Sequence, residues 1–104
     1  HAISKKNNIN FQQGMIVSNE PGYYEKNKFG IRIENLIYVK GNKKKIGFEN
    51  LTMAPMEKDL IIPEKLNNNE KTWLNNYHRT VFKKLNKSMN KIEVLELKKV
   101  CSAI

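Results

Sequence analysis

The spacing of apolar residues changes once along this chain, and that change constrains the fold more than any other feature. In residues 31–40 the apolar side chains recur with the two-residue period of a strand. In residues 68–86 they recur at intervals of three and four, which is the period of a helix. Because the strands precede the helices instead of alternating with them, the pattern predicts an α+β fold, with antiparallel strands followed by two carboxy-terminal helices.

Runs of β-branched residues that stop at turn-forming residues predict the strands. Gly14 begins the first strand, and Pro21-Gly22 ends it. The predicted elements of this part of the chain are a connection at 1–13, a strand at 14–20, a structured loop at 23–30, a strand at 31–40, a hairpin turn at 41–45, a strand at 46–54 and an extended segment at 60–63 on a sheet edge. Strands therefore occupy residues 14–63, and helices occupy residues 67–101.

Two capping boxes predict where the helices begin. Asn67 with Glu70, and Asn90 with Glu93, fit the pattern in which two side chains bond each other's backbone N–H groups. The first helix is predicted over 68–86, and the second ends near residue 101. The expected core comprises Ile31, Ile33, Ile37, Val39, Trp73, Tyr77 and Val81.

Composition and charge disfavour several classes of protein. The 104 residues fit one domain or a part of one, and no apolar run reaches the roughly 20 residues of a membrane span. The single cysteine, Cys101, excludes an internal disulfide, so we expect a soluble, cytoplasmic protein. The net charge of +9 suggests a nucleic-acid partner. However, only Arg32 and Arg79 are arginines and the lysines are spread along the chain, which disfavours that partner.

Two carboxylates stand out by their positions. Glu20 ends a strand against Pro21-Gly22, and Glu34 lies within a strand beside Arg32 on the same face. A charged residue inside a β-branched strand is costly to bury unless it is paired or binds a metal. An Arg32–Glu34 ion pair on a solvated face satisfies this pattern, and so does a pair of ligands for a hard divalent ion.

Four short segments carry family motifs. They are GMIVSNEPGYY at 14–24, FGIRIEN at 29–35, LTMAP at 51–55 and WLNNYH at 73–78. In sequence and in order they resemble the last metal-binding strands and the carboxy-terminal helix of Xaa-Pro aminopeptidases, which are pita-bread metallopeptidases. The resemblance covers residues 2 to about 85 and implies a partial pita-bread fold, with 1–104 as the carboxy-terminal part of a catalytic domain.

The resemblance also implies a dinuclear metal centre, usually of manganese, bound by two aspartates, one histidine and two glutamates. Two such ions polarise a substrate carbonyl and activate a water. Glu20 matches the first glutamate, and Glu34 matches the second, which bridges both ions. The other three ligands lie upstream in the family, and His1 is interpreted as the remnant of a purification tag instead of the missing histidine. We therefore expect this chain alone to be inactive.

Two further residues match positions that hydrogen-bond the ligands and line the substrate site in the family. These are Arg32 and Tyr24, and for Tyr24 the alternative is a packed loop aromatic. We expect Glu20 and Glu34 to converge on one sheet face, with Arg32 turned toward them. Asn35 is expected to support its strand.

Three remaining features are given structural interpretations. His78 is expected to cap, pack or hydrogen-bond within its helix, because the matching motif is a scaffold helix. Cys101 is expected to be an inert or surface thiol, and residues 43–45 a solvated hairpin tip.

The resemblance implies that the parent protein removes an amino-terminal residue that precedes proline by metal-assisted hydrolysis. Its expected partners are peptides with proline in the second position, without nucleic acid or a membrane, and a homodimer is left open. Two alternatives come from other functional classes. One is a non-catalytic pita-bread binding module, which typically loses the metal ligands, and the other is a basic nucleic-acid-binding domain.

Overall fold

The computed structural model describes residues 9–42 and 44–104, and these residues contain five strands and two α-helices. The chain divides into two compact units, the first ending at Thr52 and the second comprising Met53–Ile104. His1 and most of the predicted connection lie outside the described residues, as does Lys43 of the predicted hairpin tip.

Five antiparallel strands build the first unit. They are β1 (Ile16–Asn19), β2 (Gly22–Glu25), β3 (Phe29–Arg32), β4 (Asn35–Asn42) and β5 (Lys45–Asn50). β4 lies between β1 and β5 in a three-stranded sheet, and β2 pairs with β3 in a separate two-stranded ribbon. The predicted antiparallel arrangement is confirmed.

The pairing differs from the prediction between residues 20 and 35. The strand predicted at 31–40 is interrupted, since β3 ends at Arg32 and β4 begins at Asn35. The loop predicted at 23–30 is wrong, because most of it forms β2 and β3, joined by a turn in which Asn27 has a φ of 59°. Asparagine is one of the few residues that tolerate this left-handed conformation, so a tight turn closes the ribbon here.

Burial in the first unit follows the three-stranded sheet. Val17, Ile37 and Val39 are buried, with exposed fractions of 2%, 8% and 0%. Ile31 and Ile33 were expected in the same core but are 39% and 47% exposed. Ile31 lies in the two-stranded ribbon, which has little apolar surface with which to bury it, and Ile33 lies in the interruption after β3. The core prediction is therefore wrong for both residues.

The second unit is helical from its first regular element. Its helices are α1 (Asn68–Leu85) and α2 (Lys91–Val100), preceded by single 3₁₀ turns at Lys58–Leu60 and Pro63–Lys65. In the extended segment predicted at 60–63, Ile61 and Ile62 have extended backbone, whereas Leu60 and Pro63 belong to the 3₁₀ turns. The predicted strand region 14–63 ends with β5 at Asn50. No helix in the described part of the chain is long and apolar enough to cross a membrane.

Both predicted capping boxes are present. The side chain of Asn67 accepts from the backbone N–H of Glu70 at 3.0 Å, and the Glu70 carboxylate accepts from the Asn67 N–H at 2.9 Å. Asn90 and Glu93 make the same two bonds at 3.0 and 2.8 Å. Both helices therefore begin within a residue of the predicted positions.

The core of the second unit joins the two helices. Tyr77 and Val81 of α1 and Leu97 of α2 are 6%, 0% and 6% exposed. Partly buried residues pack around them, namely Met53, Met56, Phe82, Leu85, Met89 and Cys101. Trp73 was expected in this core but is 51% exposed, and its ring stacks on that of Tyr77 at a centroid distance of 5.5 Å.

Lys58 fixes the end of the last helix. Its ammonium group donates to the backbone carbonyls of Lys99 and Ser102 at 3.1 and 3.2 Å, and also to the Ser102 hydroxyl. Carbonyls at the end of a helix lack partners within the helix and carry a partial negative charge, so the positive charge of Lys58 stabilises this end of α2.

Candidate metal site

The interruption of the long hairpin places two carboxylates opposite each other. Glu20 directly follows β1, and Glu34 directly precedes β4. In the β1–β4 pairing Asn19 lies opposite Asn35, so one further step of this register sets Glu20 opposite Glu34. Glu20, predicted at the end of a strand, and Glu34, predicted within a strand, thus face each other just beyond the paired segments of β1 and β4.

The side chain of Arg32 lies between these two carboxylates. Its Nη1 is 3.3 Å from Oε2 of Glu20 and 3.8 Å from Oε2 of Glu34. Because both oxygens lie within 3.8 Å of a single nitrogen, the carboxylates converge on one face, and Arg32 turns toward them as expected. The hydroxyl of Ser18 donates to the other oxygen of Glu20.

These charged groups are open to solvent. The side chains of Glu20, Arg32 and Glu34 are 32%, 48% and 51% exposed. Ion pairs at this exposure contribute little to folding, typically about 1 kcal/mol or less. The contacts among these three charges therefore add little to the stability of the fold.

Tyr24 connects to the carboxylates through Arg32. The Nε–H of Arg32 donates to the phenol oxygen of Tyr24 at 2.8 Å, and the guanidinium carbon lies 5.9 Å from the ring centroid. This hydrogen bond raises the pKa of Arg32 above its ordinary value, with further contributions from the charges of Glu20 and Glu34. Tyr24 lies in β2 and not in a loop, so its predicted alternative as a packed loop aromatic does not match its place in the fold.

Sequence reasoning missed three contacts in this region. It did not assign a role to Ser18, whose hydroxyl binds Glu20, or to Gly22 and Gly30, which lie against the ring of Tyr24. The spacing of the glycines carries a usable signal. Gly22 is two residues before Tyr24 and so shares its strand face, and a hairpin over residues 23–30 places Gly30 opposite Tyr24.

The remaining predicted residues lie in structural positions. Asn35 begins β4, is 8% exposed, and its amide donates to the side chain of Asn50 at 3.4 Å, which fits the expected support of its strand. His78 is completely buried in α1. Burial raises the pKa of the Cys101 thiol, which fits the expected inert thiol because the reactive thiolate is disfavoured.

The donor set of the described residues fits part of a divalent metal site. Glu20 and Glu34 present converging anionic oxygens, which are the ligands that manganese and other hard divalent ions prefer. In the portions of the chain that the structure describes, no group of three or more histidine, cysteine, aspartate or glutamate side chains is placed to hold an ion. The chemistry of Glu20 and Glu34 therefore fits two ligand positions of a divalent metal site.

Comparison with known proteins identifies the family. Residues 1–41 match the model of metallopeptidase family M24, and residues 44–104 match the model of the C-terminal region of peptidase M24. The chain belongs to the M24 metallopeptidase family. A probable Xaa-Pro aminopeptidase P of Coprinopsis cinerea is 46% identical over 87 residues, and aminopeptidase P2 of Arabidopsis thaliana is 46% identical over 82 residues.

A solved structure extends this relationship to the fold. The chain is similar to the crystal structure of X-prolyl aminopeptidase from Caenorhabditis elegans, which is described as a cytosolic enzyme with a dinuclear active site. The TM-score is 0.81 at 29% identity, and the match covers 97% of this M24 chain and 18% of the nematode protein. The predicted partial pita-bread fold, with antiparallel strands followed by two helices, is thereby confirmed.

The chain spans a small part of the length of its relatives. The matched segment is 76% of this chain but only 14% of the Coprinopsis protein, and 71% of this chain but only 12% of the Arabidopsis protein. The C-terminal region of peptidase M24 is matched by residues 44–104 of this chain.

Proposed function

We propose that this chain supplies the last two metal ligands of an Xaa-Pro aminopeptidase, which hydrolyses the bond between an amino-terminal residue and a following proline. The observation that carries this proposal is the convergence of Glu20 and Glu34 on one nitrogen of Arg32. Membership of the M24 family and the dinuclear active site of the nematode relative support it. The substrates we propose are peptides with proline in the second position.

Each charged residue of the site has a distinct task in this proposal. Glu20 and Glu34 would provide anionic oxygens that hold the two divalent ions. When bound, two divalent ions, which we propose to be manganese, polarise a carbonyl and activate water. Arg32 donates a hydrogen bond to the Glu20 carboxylate and pairs electrostatically with Glu34 at 3.8 Å, so it orients both carboxylates, and Tyr24 holds Arg32. The cytosolic description of the nematode relative supports a cytoplasmic location for this protein.

Two further predictions concern partners other than peptides, namely nucleic acid and membranes. We propose that neither nucleic acid nor a membrane is a partner of this protein. Generic DNA added to the protein at low and high salt would reveal the basic nucleic-acid-binding alternative, because such binding weakens steeply as salt increases.

The test of the proposed function removes one carboxylate at a time from the protein carrying this sequence. Glu20→Gln and Glu34→Gln keep the side-chain shape but lose an anionic oxygen, so manganese affinity measured by calorimetry should fall in both. Where the protein hydrolyses Xaa-Pro peptides, Glu34→Gln should also reduce kcat/KM by several orders of magnitude.

A matched control comes from the same unit. Glu49 is an exposed carboxylate of β5 that pairs with Lys40 at 3.0 Å, so Glu49→Gln also removes one ion pair and one negative charge. We expect its manganese affinity to equal that of the unmodified protein. Unchanged affinity in Glu20→Gln and Glu34→Gln would refute the assignment of these residues as metal ligands.

A further inference from the structure

One face of the ribbon carries the whole chain of contacts that ends at the carboxylates. Tyr24 lies directly opposite Gly30, and Gly22 lies directly opposite Arg32. Successive side chains of a strand point to opposite faces, so residues two apart share a face, as do residues directly opposite each other. These four positions therefore lie on one face of the ribbon. Glu20 and Glu34 lie in the interruption next to this face, and both carboxylates reach Nη1 of Arg32.

The ring of Tyr24 lies against the backbone at two positions that have no side chain. A Cβ atom at Gly30 would be 2.6 Å from Cδ1 of Tyr24, and a Cβ atom at Gly22 would be 2.7 Å from the phenol oxygen. Both distances are well below van der Waals contact. The tyrosine can adopt this position only because the ribbon lacks Cβ atoms beneath both ends of its ring.

Backbone conformation does not account for these two glycines. The described glycines with a positive φ are Gly14 and Gly41, whereas Gly22 and Gly30 lie in β2 and β3 without one. Glycine in the interior of a strand weakens it, since it adds conformational entropy to the unfolded chain and has no side chain to pack. The close approach of Tyr24 is therefore the feature that requires glycine here.

The position of the ring determines where the phenol oxygen meets Arg32. That oxygen accepts from Nε of Arg32 at 2.8 Å, which leaves Nη1 directed at Glu20 and Glu34. Holding an arginine side chain in one conformation costs considerable rotamer freedom, so Arg32 would sample other rotamers without a contact that holds it. A ring lifted from the ribbon by a Cβ atom would move its hydroxyl away from Nε and release the guanidinium.

We propose that Gly30, together with Gly22, is a positioning residue of the metal site, because the absence of its Cβ lets Tyr24 lie flat and hold Arg32 between Glu20 and Glu34. This inference rests on the proposed function for the role of the carboxylates. Its geometric part consists of the contact of Gly30 with Tyr24 and the hydrogen bond from Arg32 to Tyr24, and neither depends on the proposed function.

The test uses Gly30→Ala in the protein carrying this sequence, with Gly47→Ala as the matched control. Gly47 also lies in a strand, β5, and a Cβ atom there would meet nothing within 4 Å. Tyr24→Phe removes the hydroxyl without adding bulk, so it tests the same hydrogen bond should the alanine variant fold poorly. The first readout is the NMR signal of the Arg32 Nε–H, assigned as the signal lost in Arg32→Lys, and the second is manganese affinity.

We expect Gly30→Ala and Tyr24→Phe to move the Arg32 signal to that of a solvated guanidinium and to weaken manganese binding by about 10- to 100-fold, the usual effect of losing a group that orients a metal ligand. Gly47→Ala should change neither readout. In a Tyr24→Ala background, Gly30→Ala should have no further effect on either, because it acts through the ring.

Three outcomes would overturn the inference. The first is an unchanged Arg32 signal in folded Gly30→Ala, or in Tyr24→Phe if the alanine variant does not fold. The second is a full effect of Gly30→Ala in the Tyr24→Ala background. The third is unchanged or tighter manganese binding after the hydrogen bond is lost. If the unmodified protein binds no divalent ion, the proposed function fails, while the Arg32 signal still decides the geometric part.

Discussion

The backbone N–H of Met56 donates a 3.0 Å hydrogen bond to Nε2 of His78, so this nitrogen is an acceptor and carries no proton. His78 is fully buried, and its Nδ1 has no hydrogen-bond partner among the described residues. In a neutral imidazole one nitrogen donates and the other accepts, so the proton lies on Nδ1. Burial, aided by the positive charge of Lys58, lowers the pKa of His78.

This lowered pKa predicts a loss of stability in mild acid. Unfolded histidine has a pKa near 6.5, so below that pH the unfolded chain binds a proton that the folded chain excludes. The free energy of unfolding of the second unit should be fully retained above about pH 6.5 and fall as the pH decreases toward the folded pKa, by up to about 1.4 kcal/mol per pH unit. Urea unfolding near neutrality and at about pH 5.5 measures this change.

The control for the histidine is His78→Gln. Its amide oxygen can accept from the Met56 N–H, and it does not titrate in this range. The variant should therefore lose most of the pH dependence between about pH 5.5 and neutrality, even if it is less stable at every pH. An identical pH dependence in both proteins would show that other groups cause it.

Truncation of Leu97 should destabilise the second unit strongly. Leu97 is 6% exposed and belongs to the core with Tyr77 and Val81, so Leu97→Ala should lower the free energy of unfolding by about 2–5 kcal/mol. Leu95 lies on the same helix but is 65% exposed. Leu95→Ala should cost far less, and equal costs in urea unfolding would contradict the assignment of the core.

Removal of the first helix cap should have a smaller effect. Asn67→Ala loses the side-chain acceptor for the Glu70 N–H, which should cost about 1 kcal/mol in thermal unfolding. Asn69 is exposed within the first turn of α1, so Asn69→Ala makes the same substitution two residues later without removing the cap. A loss in Asn69→Ala as large as in Asn67→Ala would attribute the effect to helix propensity instead of capping.

The isolated 104-residue chain should not hydrolyse Xaa-Pro peptides at any manganese concentration. The reason is that Glu20 and Glu34 converge without a third metal-binding side chain among the described residues. Release of the amino-terminal residue from an Xaa-Pro dipeptide is the measurement, with an intact Xaa-Pro aminopeptidase as the positive control. Metal-dependent release by the pure chain would show that it carries a complete site.

Sequence patterns predicted the helices better than the strands for a physical reason. The capping boxes at Asn67 and Asn90 are local, so each can be recognised within four residues. The pairing of β2 with β3 depends on partners across the ribbon, and the aromatic residues of that segment obscured it. The two-residue period of a strand shows which side chains share a face, but not which of them other residues cover. It could not show that Ile37 is covered while Ile33 is 47% exposed.

The candidate site was predictable only in part. Motif resemblance gave Glu20, Glu34, Arg32 and Tyr24, and the alternation of residues placed Arg32 on the face of Glu34. The contribution of Gly30 depends on the distance between a missing Cβ atom and a ring, which exists only once the ribbon has formed.

The hydrogen bonds from Lys58 to Lys99 and Ser102 bring together positions that are 41 and 44 residues apart in sequence. Residues near the first and last positions of the described helical unit therefore lie side by side. A segment whose two ends are adjacent can be inserted into a surface loop of a host protein, or circularly permuted, without stretching its connections. The unit Met53–Ile104 thus has the geometry of a transplantable module.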